Sequence, residues 1–174
     1  MIHVFSCNLF DNSIDDVIAE LRAYQTDLTS MTEEFARRVA EEIAEGARIG
    51  FAGAITDVLI KGGSRSPSEI SVSVEHSREG SIVIASGEDA IWCEFGTGVH
   101  FNGAVGSSPH PKGVELGFTI GTYGKGLGSR DTWGFYENGQ LVLTHGAPAA
   151  TPMYRSMRIV CEGLREIAAE VFNG

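Results

Sequence analysis

The sequence predicts an α+β domain in which a small antiparallel sheet of two hairpins packs against one long helix and a C-terminal helix. Three observations predict this class: a long apolar pattern at helical spacing that opens at Ser30, two hairpin patterns, and a last apolar stripe from Met153 to about Phe172. A chain of 174 residues with 43% hydrophobic residues is long enough to bury one core. Residues 1–174 are therefore expected to form a single domain.

The N-terminal residues 1–29 are expected to form a short strand followed by a short helix. Ser13 and Asp16 have the spacing of a capping box. Apolar residues then recur at helical spacing: Ile14, Val17, Ile18 and Leu21. The polar stretch 24–29 predicts a break before the next helix.

The long helix is expected to begin at a second capping box, formed by Ser30 and Glu33. Its apolar residues follow in steps of four: Met31, Phe35, Val39, Ile43, Ala47, Phe51 and Ile55. Gly46, Gly50 and Gly53 lie on one side, although each glycine costs about 1 kcal/mol relative to alanine in a helix interior. They predict either a frayed or kinked end or the close approach of another backbone.

The first hairpin is predicted by alternating apolar and polar residues on both sides of a turn at 77–80. The alternating apolar residues are Ile70, Val72, Val74, Ile82 and Ile84. An extended segment over Ile91–Phe95 is expected to follow and to pack on this sheet.

The second hairpin is predicted by the dipeptide Asn138-Gly139, which tolerates positive φ at both central positions of a tight turn. A two-residue turn pairs the flanking strands, so that Tyr136 lies opposite Leu141 and Phe135 lies opposite Val142.

Residues 98–132 are predicted to form a long mobile loop within the domain. Glycine, serine and proline recur there with few apolar residues, over a length that is unusual for a connection in a compact domain. Such a segment is either a functional loop or one that becomes ordered on assembly.

Two short segments flank this loop and the second hairpin. The first ends in Glu94-Phe95-Gly96-Thr97-Gly98. The second is a stiff connector, 144–154, in which Thr151 and Pro152 are expected to supply the N-cap and the first residue of the last helix.

Together with His110-Pro111 in the loop, these segments resemble the HK97 gp10-like family of bacteriophage tail and head-tail joining proteins. The resemblance implies a structural protein of a phage or prophage, either a minor tail component or a head-tail joining (tail-completion) protein. It implies a closed ring of copies, for which a hexamer is one candidate, together with other phage connector or tail proteins as partners. The candidate assembly residues are Trp92, Glu94, Phe95, Gly96, Thr97, Gly98, His110, Pro111, Gly146, Pro148, Pro152 and Tyr154.

The formal charge of −10 argues against sequence-specific nucleic-acid binding, because phosphate contacts need clustered Lys and Arg. Cys7, Cys93 and Cys161 are widely spaced in apolar surroundings, which predicts buried, reduced thiols and no disulfide framework. The N-terminus lacks the pattern of a signal peptide, and no stretch has the length of a membrane span. The expected location is the host cytoplasm during assembly and then the virion.

Two other classes of function compete with this one. A hydrolase or metal-dependent enzyme would use Cys93, His100 and His110, although their spacing is not that of a zinc site. A non-viral adaptor would bind a peptide at a sheet edge. The glycines at 121–128 lack the Lys-Ser/Thr ending of a phosphate-binding loop. No catalytic residue, metal or cofactor is predicted, and Glu94 is expected to meet backbone donors or the Arg of a partner subunit rather than to act as a general acid. Of these two, the family resemblance favours the intersubunit role.

Overall fold

A computed structural model of the chain describes residues 13–59, 63–97, 108–118 and 132–173. Within these ranges the fold is α+β, as predicted. It consists of a long helix, three two-stranded antiparallel ribbons, a short helix and two C-terminal helices. The strand predicted near the N-terminus lies outside the described residues. No helix in the described ranges combines the length and apolar content required to cross a membrane.

The first helix, α1, spans Ser13–Ala52 without interruption, so the predicted break at 24–29 is wrong. Ser30 lies inside the helix and does not cap it. The helix is continuous because this stretch contains neither glycine nor proline and satisfies its own polar groups. The hydroxyls of Thr26 and Thr29 donate to the carbonyls of Arg22 and Gln25, four residues earlier, at 2.9 and 2.8 Å.

The glycines of α1 mark a close helix contact at two of their three positions. A Cβ at Gly46 would lie 2.3 Å from Ser156 Oγ, and one at Gly50 would lie 2.8 Å from Pro152 Cβ. Ser156 also donates to the carbonyl of Ile43 at 2.7 Å. Close backbone approach is therefore confirmed at these two positions. Gly53 instead follows the end of the helix, which stops short of Ile55.

The C-terminal stripe forms two helices, α3 (Pro152–Glu162) and α4 (Leu164–Asn173), instead of one. The break occurs at Gly163, whose amide donates to the carbonyl of Val160 at 3.0 Å. Both helices pack on α1, as the stripe predicts. Val160 and Ile167 are buried, and Phe172 contacts Phe35 with ring centroids 6.0 Å apart.

Both predicted hairpins are present. β3 (Ser71–Ser77) pairs with β4 (Gly80–Ser86), and β5 (Trp133–Glu137) pairs with β6 (Gln140–Thr144) in the predicted register. Asn138 and Gly139 have the positive φ values of 50° and 77° that the tight turn requires.

The hairpins do not join into one sheet, which corrects the predicted arrangement. A third ribbon, β1 (Asp57–Val58) with β2 (Ser64–Arg65), lies beside β6 through a single bridge between Leu59 and Thr144. The side chain of Arg65 reaches Glu137 at 3.0 Å.

The core-facing residues of β4 also differ from those predicted. The two-residue turn pairs Ser77 with Gly80, and this register places Ala85 opposite Val72 and Val83 opposite Val74. Val83 and Ala85 therefore face the core, whereas Ile82 is 62% exposed. The core itself lies between α1, this hairpin and the segment 90–93: Ala44, Ala47, Phe51, Ala54, Val72, Ala90 and Cys93.

Candidate functional site

The segment predicted to be extended is a short helix, α2, over Ala90–Phe95. Its buried residues, Ala90, Cys93 and Glu94, recur at the helical interval of three and four. A short apolar run of this kind is ambiguous between strand and helix by periodicity alone. The helix ends at Gly96, which has φ 85° and donates its amide to the carbonyl of Trp92 at 2.7 Å.

Glu94 caps the N-terminus of α3 from a distant part of the chain. Its Oε2 accepts the amide of Met153 at 2.9 Å, and its Oε1 accepts the amide of Tyr154 at 3.0 Å. Pro152, as the first helical residue, has no amide to satisfy. The carboxylate therefore takes the two N–H groups that the helix cannot satisfy internally, and its charge is favourable at this end of the helix dipole.

Thr151 occupies the N-cap position as predicted, but its side chain does not act as the cap. Its backbone is left-handed, with φ 50° and ψ 47°, and its side chain makes no capping hydrogen bond. Of the two kinds of partner considered for Glu94, the structure shows backbone donors, and those donors belong to the same chain. The intersubunit role stays a prediction.

The two motif segments are also joined by backbone pairing. Thr97 and Ala147 form two hydrogen bonds. The amide of Thr97 donates to the carbonyl of Ala147 at 3.0 Å, and Thr97 Oγ1 accepts the amide of Ala147 at 2.8 Å. The same hydroxyl donates to the carbonyl of Thr56 at 2.9 Å. The carbonyl of Cys93 accepts the amides of Ala150 and Thr151 at 2.9 and 3.3 Å. The segments around 94 and 147 thus form one buried corner.

A compact turn at 108–118 covers this corner. The amide of Ser108 donates to the carbonyl of Phe118 at 2.9 Å, which closes the turn. Phe118 is buried and stacks on Phe95 with ring centroids 4.5 Å apart. The middle of the predicted loop is therefore folded against α2. Mobility elsewhere in 98–132 stays a prediction.

His110 lies in this turn with its ring against the corner. Its Nε2 is 3.4 Å from Glu94 Oε1, and its ring centroid is 4.4 Å from that of Phe95 and 5.2 Å from that of Tyr154. Its Nδ1 accepts the amide of Lys112 at 3.1 Å, so Nδ1 is unprotonated and Nε2 carries the hydrogen that faces Glu94. We call Glu94, Phe95, Thr97, His110, Phe118 and Tyr154 the corner cluster.

The structure brings most of the predicted candidate residues together here. Trp92 packs edge-on to Phe118 with centroids 6.0 Å apart, and Gly146 turns the connector with φ 82°. Pro148 is half-buried in the connector, whereas Pro111 is exposed beside His110. Gly98 and His100 lie outside the described residues.

Sequence reasoning missed two parts of the corner. Phe118 is its central aromatic residue, and the glycine-rich composition of 98–132 led the whole segment to be predicted as a loop. The apolar residues Val114, Leu116 and Phe118, which recur at every second position, were the available signal. The pairing of Thr97 with Thr56 and Ala147 spans 41 and 50 residues. No local sequence pattern predicts a contact across such a separation.

The thiol of Cys93 lies behind the corner cluster in the core and is fully buried. Burial raises the pKa of Cys93 to about 11, with smaller contributions from the nearby charges of Asp89 and Glu94. A protonated thiol without access to solvent is a poor nucleophile and a poor metal ligand. Cys161 is exposed, contrary to the prediction that the cysteines are buried.

The corner cluster is chemically self-satisfied. Every buried side-chain nitrogen or oxygen in the described ranges has a hydrogen-bond partner, and these ranges contain no group of three His, Cys, Asp or Glu residues arranged to hold a metal ion. The arrangement caps a helix and joins three segments. Each oxygen of Glu94 accepts a helix amide of the same chain.

Comparisons of the chain with protein-family models, with curated proteins and with solved structures gave no match. The α+β class and the corner cluster follow from the geometry of the chain itself. The resemblance to phage tail proteins remains a prediction based on the motifs.

Proposed function

We infer that the protein is a structural component of a bacteriophage or prophage, a minor tail component or a head-tail joining (tail-completion) protein that acts by forming a ring. One observation carries this inference beyond the resemblance. The motif residues Glu94, Thr97, His110 and Tyr154 are used by the chain to fix its own corner. Residues of this kind support a rigid assembling subunit better than a reactive site.

The competing enzyme is disfavoured by the same geometry. A hydrolase built on Cys93 would need an accessible thiolate, whereas this thiol is buried and its pKa is raised to about 11. A general acid at Glu94 would need a free oxygen, whereas both oxygens accept helix amides.

The proposed ring contact lies on the outer surface of the corner. Ile91, on α2, and Val114 and Leu116, on the turn at 108–118, are large apolar residues that are largely exposed. They belong to the two elements that build the corner, and exposed apolar groups on a rigid support suit a subunit contact. Assembly would take place in the host cytoplasm, and the ring would then remain in the virion with other tail or connector proteins.

The test uses a phage or inducible prophage that carries this gene. Replacing Val114 and Leu116 by Glu places two charges on the proposed contact without touching the corner cluster. We expect folded protein but unjoined heads and defective tails by electron microscopy. The control is Ile82→Glu, since Ile82 is equally exposed on β4, and it should give normal particles.

Normal infectious particles from the Val114→Glu/Leu116→Glu variant would contradict the ring contact. The neighbouring genes give an independent check of the class. Flanking frames for portal, capsid or tail-tube proteins are expected, and an isolated metabolic operon would contradict a phage role.

A further inference from the structure

The hairpin of β3 and β4 has two outer edges, whose backbone groups can be assigned from its register. The two-residue turn makes Ser77 and Gly80 a hydrogen-bonded pair, and bonded and non-bonded pairs alternate from there along an antiparallel ladder. The N–H and C=O groups of every non-bonded pair point away from the partner strand. On β3 these residues include Val72, and on β4 they are Ser81, Val83 and Ala85.

The described chain covers these two edges unequally. On β3, the carbonyl of Val72 accepts the guanidinium of Arg48, from Nε at 3.3 Å and from Nη2 at 3.1 Å. On β4, no hydrogen bond within the described ranges reaches the outward groups of Ser81, Val83 or Ala85. Val83 and Ala85 face the core but remain half-buried, as expected at an open edge. The outer edge of β4 can therefore accept another strand.

The composition of β4 does not protect this edge. Natural proteins protect an exposed strand edge with charged residues, proline or a bulge. Residues 80–86 contain no charged residue and no proline, and the ladder runs without a bulge. Ile82 is also 62% exposed on the outer face of the hairpin. An edge of this kind favours pairing with a further strand.

A second copy of β4 fits this edge by symmetry. In an antiparallel pair with its two-fold axis at Val83, this residue lies opposite its own copy, and Ser81 lies opposite Ala85 on both sides of the axis. All the outward N–H and C=O groups of these residues then meet in hydrogen-bonded pairs. Ile82 lies opposite Ile84 on the outer face, so an exposed isoleucine gains an apolar cross-strand neighbour.

The same register matches charge at both ends of the pair. Its continuation brings Arg78, in the turn before β4, toward Glu88 of the other copy, which lies just after β4. Both residues are exposed, and within the described ranges neither makes an ion pair or a hydrogen bond. β4 itself carries no charge, so the pairing opposes no like charges in the strand, although the chain has a formal charge of −10. A second copy therefore matches this edge in both hydrogen bonding and charge.

We propose that the free chain forms a two-fold dimer through β4, in which two hairpins join into one four-stranded antiparallel sheet. The pairing closes an edge that is otherwise a template for aggregation. This contact belongs to the free chain. It is separate from the ring contact at the corner, and it does not depend on the phage role.

The test measures association of the full chain by analytical ultracentrifugation. A short edge contact is weak, so the concentration series extends to about 500 μM. We expect a monomer–dimer equilibrium in the parent chain. Ser81→Pro removes an outward amide but no hydrogen bond of the ladder, and it should weaken the dimer at least about tenfold. The control Ser81→Ala keeps this amide and loses only the hydroxyl that lies 2.9 Å from His76 Nδ1, so it should dimerise like the parent.

Reversing charge tests the register without touching the strand. Arg78→Glu and Glu88→Arg each place like charges at both ends of the pair, and each should weaken the dimer at least about threefold. An equimolar mixture of the two variants places opposite charges at both ends again. We expect this mixture to form a heterodimer about as strong as the parent dimer. Circular dichroism checks that all variants keep the secondary structure of the parent chain.

Three outcomes overturn the proposal. The parent chain is monomeric at every concentration, Ser81→Pro dimerises as well as Ser81→Ala, or the mixed charge variants associate no better than each variant alone.

Two further variants keep this contact distinct from the proposed ring. Val114→Glu/Leu116→Glu should dimerise like the parent, and loss of the dimer in this variant would assign it to the corner instead. Ile82→Glu should weaken the dimer and still give normal particles, because the pairing belongs to the free chain. Failure of the ring test in phage would leave the sedimentation results unaffected.

Discussion

The two halves of α1 present opposite kinds of surface to the rest of the molecule. The C-terminal half faces α3 and the core with small residues, Ala44, Ala47, Gly46 and Gly50, and the backbone of α3 lies almost against it. The N-terminal half carries large apolar residues at heptad spacing and remains exposed. Apolar content alone therefore does not show where a helix is buried.

The difference lies in how the partner fits. Glycine and alanine at close spacing permit one specific backbone to approach, so such a surface is complementary to a fixed neighbour in the same chain. Large residues in a 3.5-residue repeat accept knobs from another helix of the same repeat. Local interactions stabilise the N-terminal half of α1 as a helix, and they include Asp15 and Asp16 in the first turn and the pair of Arg37 with Glu34 at 2.7 Å.

Amide hydrogen exchange should show the largest contrast between the halves. Amides at 40–51 should open only with global unfolding, on the order of 5 kcal/mol or more, whereas those at 14–31 should open at about 0–1 kcal/mol. Uniform protection along α1 would contradict the contrast between its two halves.

Enlarging a small side chain should affect only the packed half. A Cβ at Gly50 would already lie 2.8 Å from Pro152 Cβ, and Gly50→Leu adds further atoms at this contact. This variant should reduce the free energy of unfolding by about 3 kcal/mol. The matched change Ala23→Leu lies at an exposed position in the N-terminal half of α1, and its free energy of unfolding should stay within about 0.5 kcal/mol of that of the parent chain. Urea unfolding measures both. Equal losses would contradict the distinction.

Removing a charge should likewise matter only in the body. Glu94→Gln keeps the shape but offers one acceptor oxygen to two helix amides, so we expect a loss of about 2–3 kcal/mol in unfolding free energy. Glu20→Gln, at an exposed position in the N-terminal half of α1, is the control, with an expected change below about 0.5 kcal/mol. An unchanged midpoint for Glu94→Gln would show that the cap contributes little.

The free energy of unfolding should also depend on pH, because Cys93 lies in the core that packs against the C-terminal half of α1. Its pKa is raised from 9.0 to about 11 by burial, so the folded chain retains a proton that the unfolded chain loses. Stability from this group is complete below pH 9 and falls as pH rises to 11, by on the order of 2 kcal/mol. Cys93→Ala should flatten this part of the stability profile. A parent profile that matches the variant would mean that the thiol is hydrated.

Local patterns predicted the class, both hairpins and the register of the second one. The prediction for α1 was wrong because the polar stretch 24–29 was interpreted as a break. This stretch contains neither glycine nor proline, and Thr26 and Thr29 form hydrogen bonds within the helix. The start of α3 was predicted correctly, but the side chain that caps it was not. The true cap, Glu94, lies 59 residues from the first amide that it binds.

The identity of the candidate residues could be predicted from local motifs, but their role could not. Glu94, Thr97, His110 and Tyr154 could be singled out from motifs, and the structure brings them together. What they do could not be predicted, because each acts on a segment far away in the chain. Long-range partners depend on the whole topology, whereas turns and helix faces depend on neighbours.

The hydroxyl of Thr97 has a consequence for the order of folding. It forms hydrogen bonds with Thr56 and Ala147, so the chain between 56 and 97 and the chain between 97 and 147 must both close into loops before these bonds form. Closing long loops is entropically costly, so contacts of this separation form late, after the local hairpins and α1. Thr97→Val should therefore speed unfolding and leave the refolding rate nearly unchanged in stopped-flow measurements. The corner would then set the lifetime of the folded chain and not the rate at which it folds.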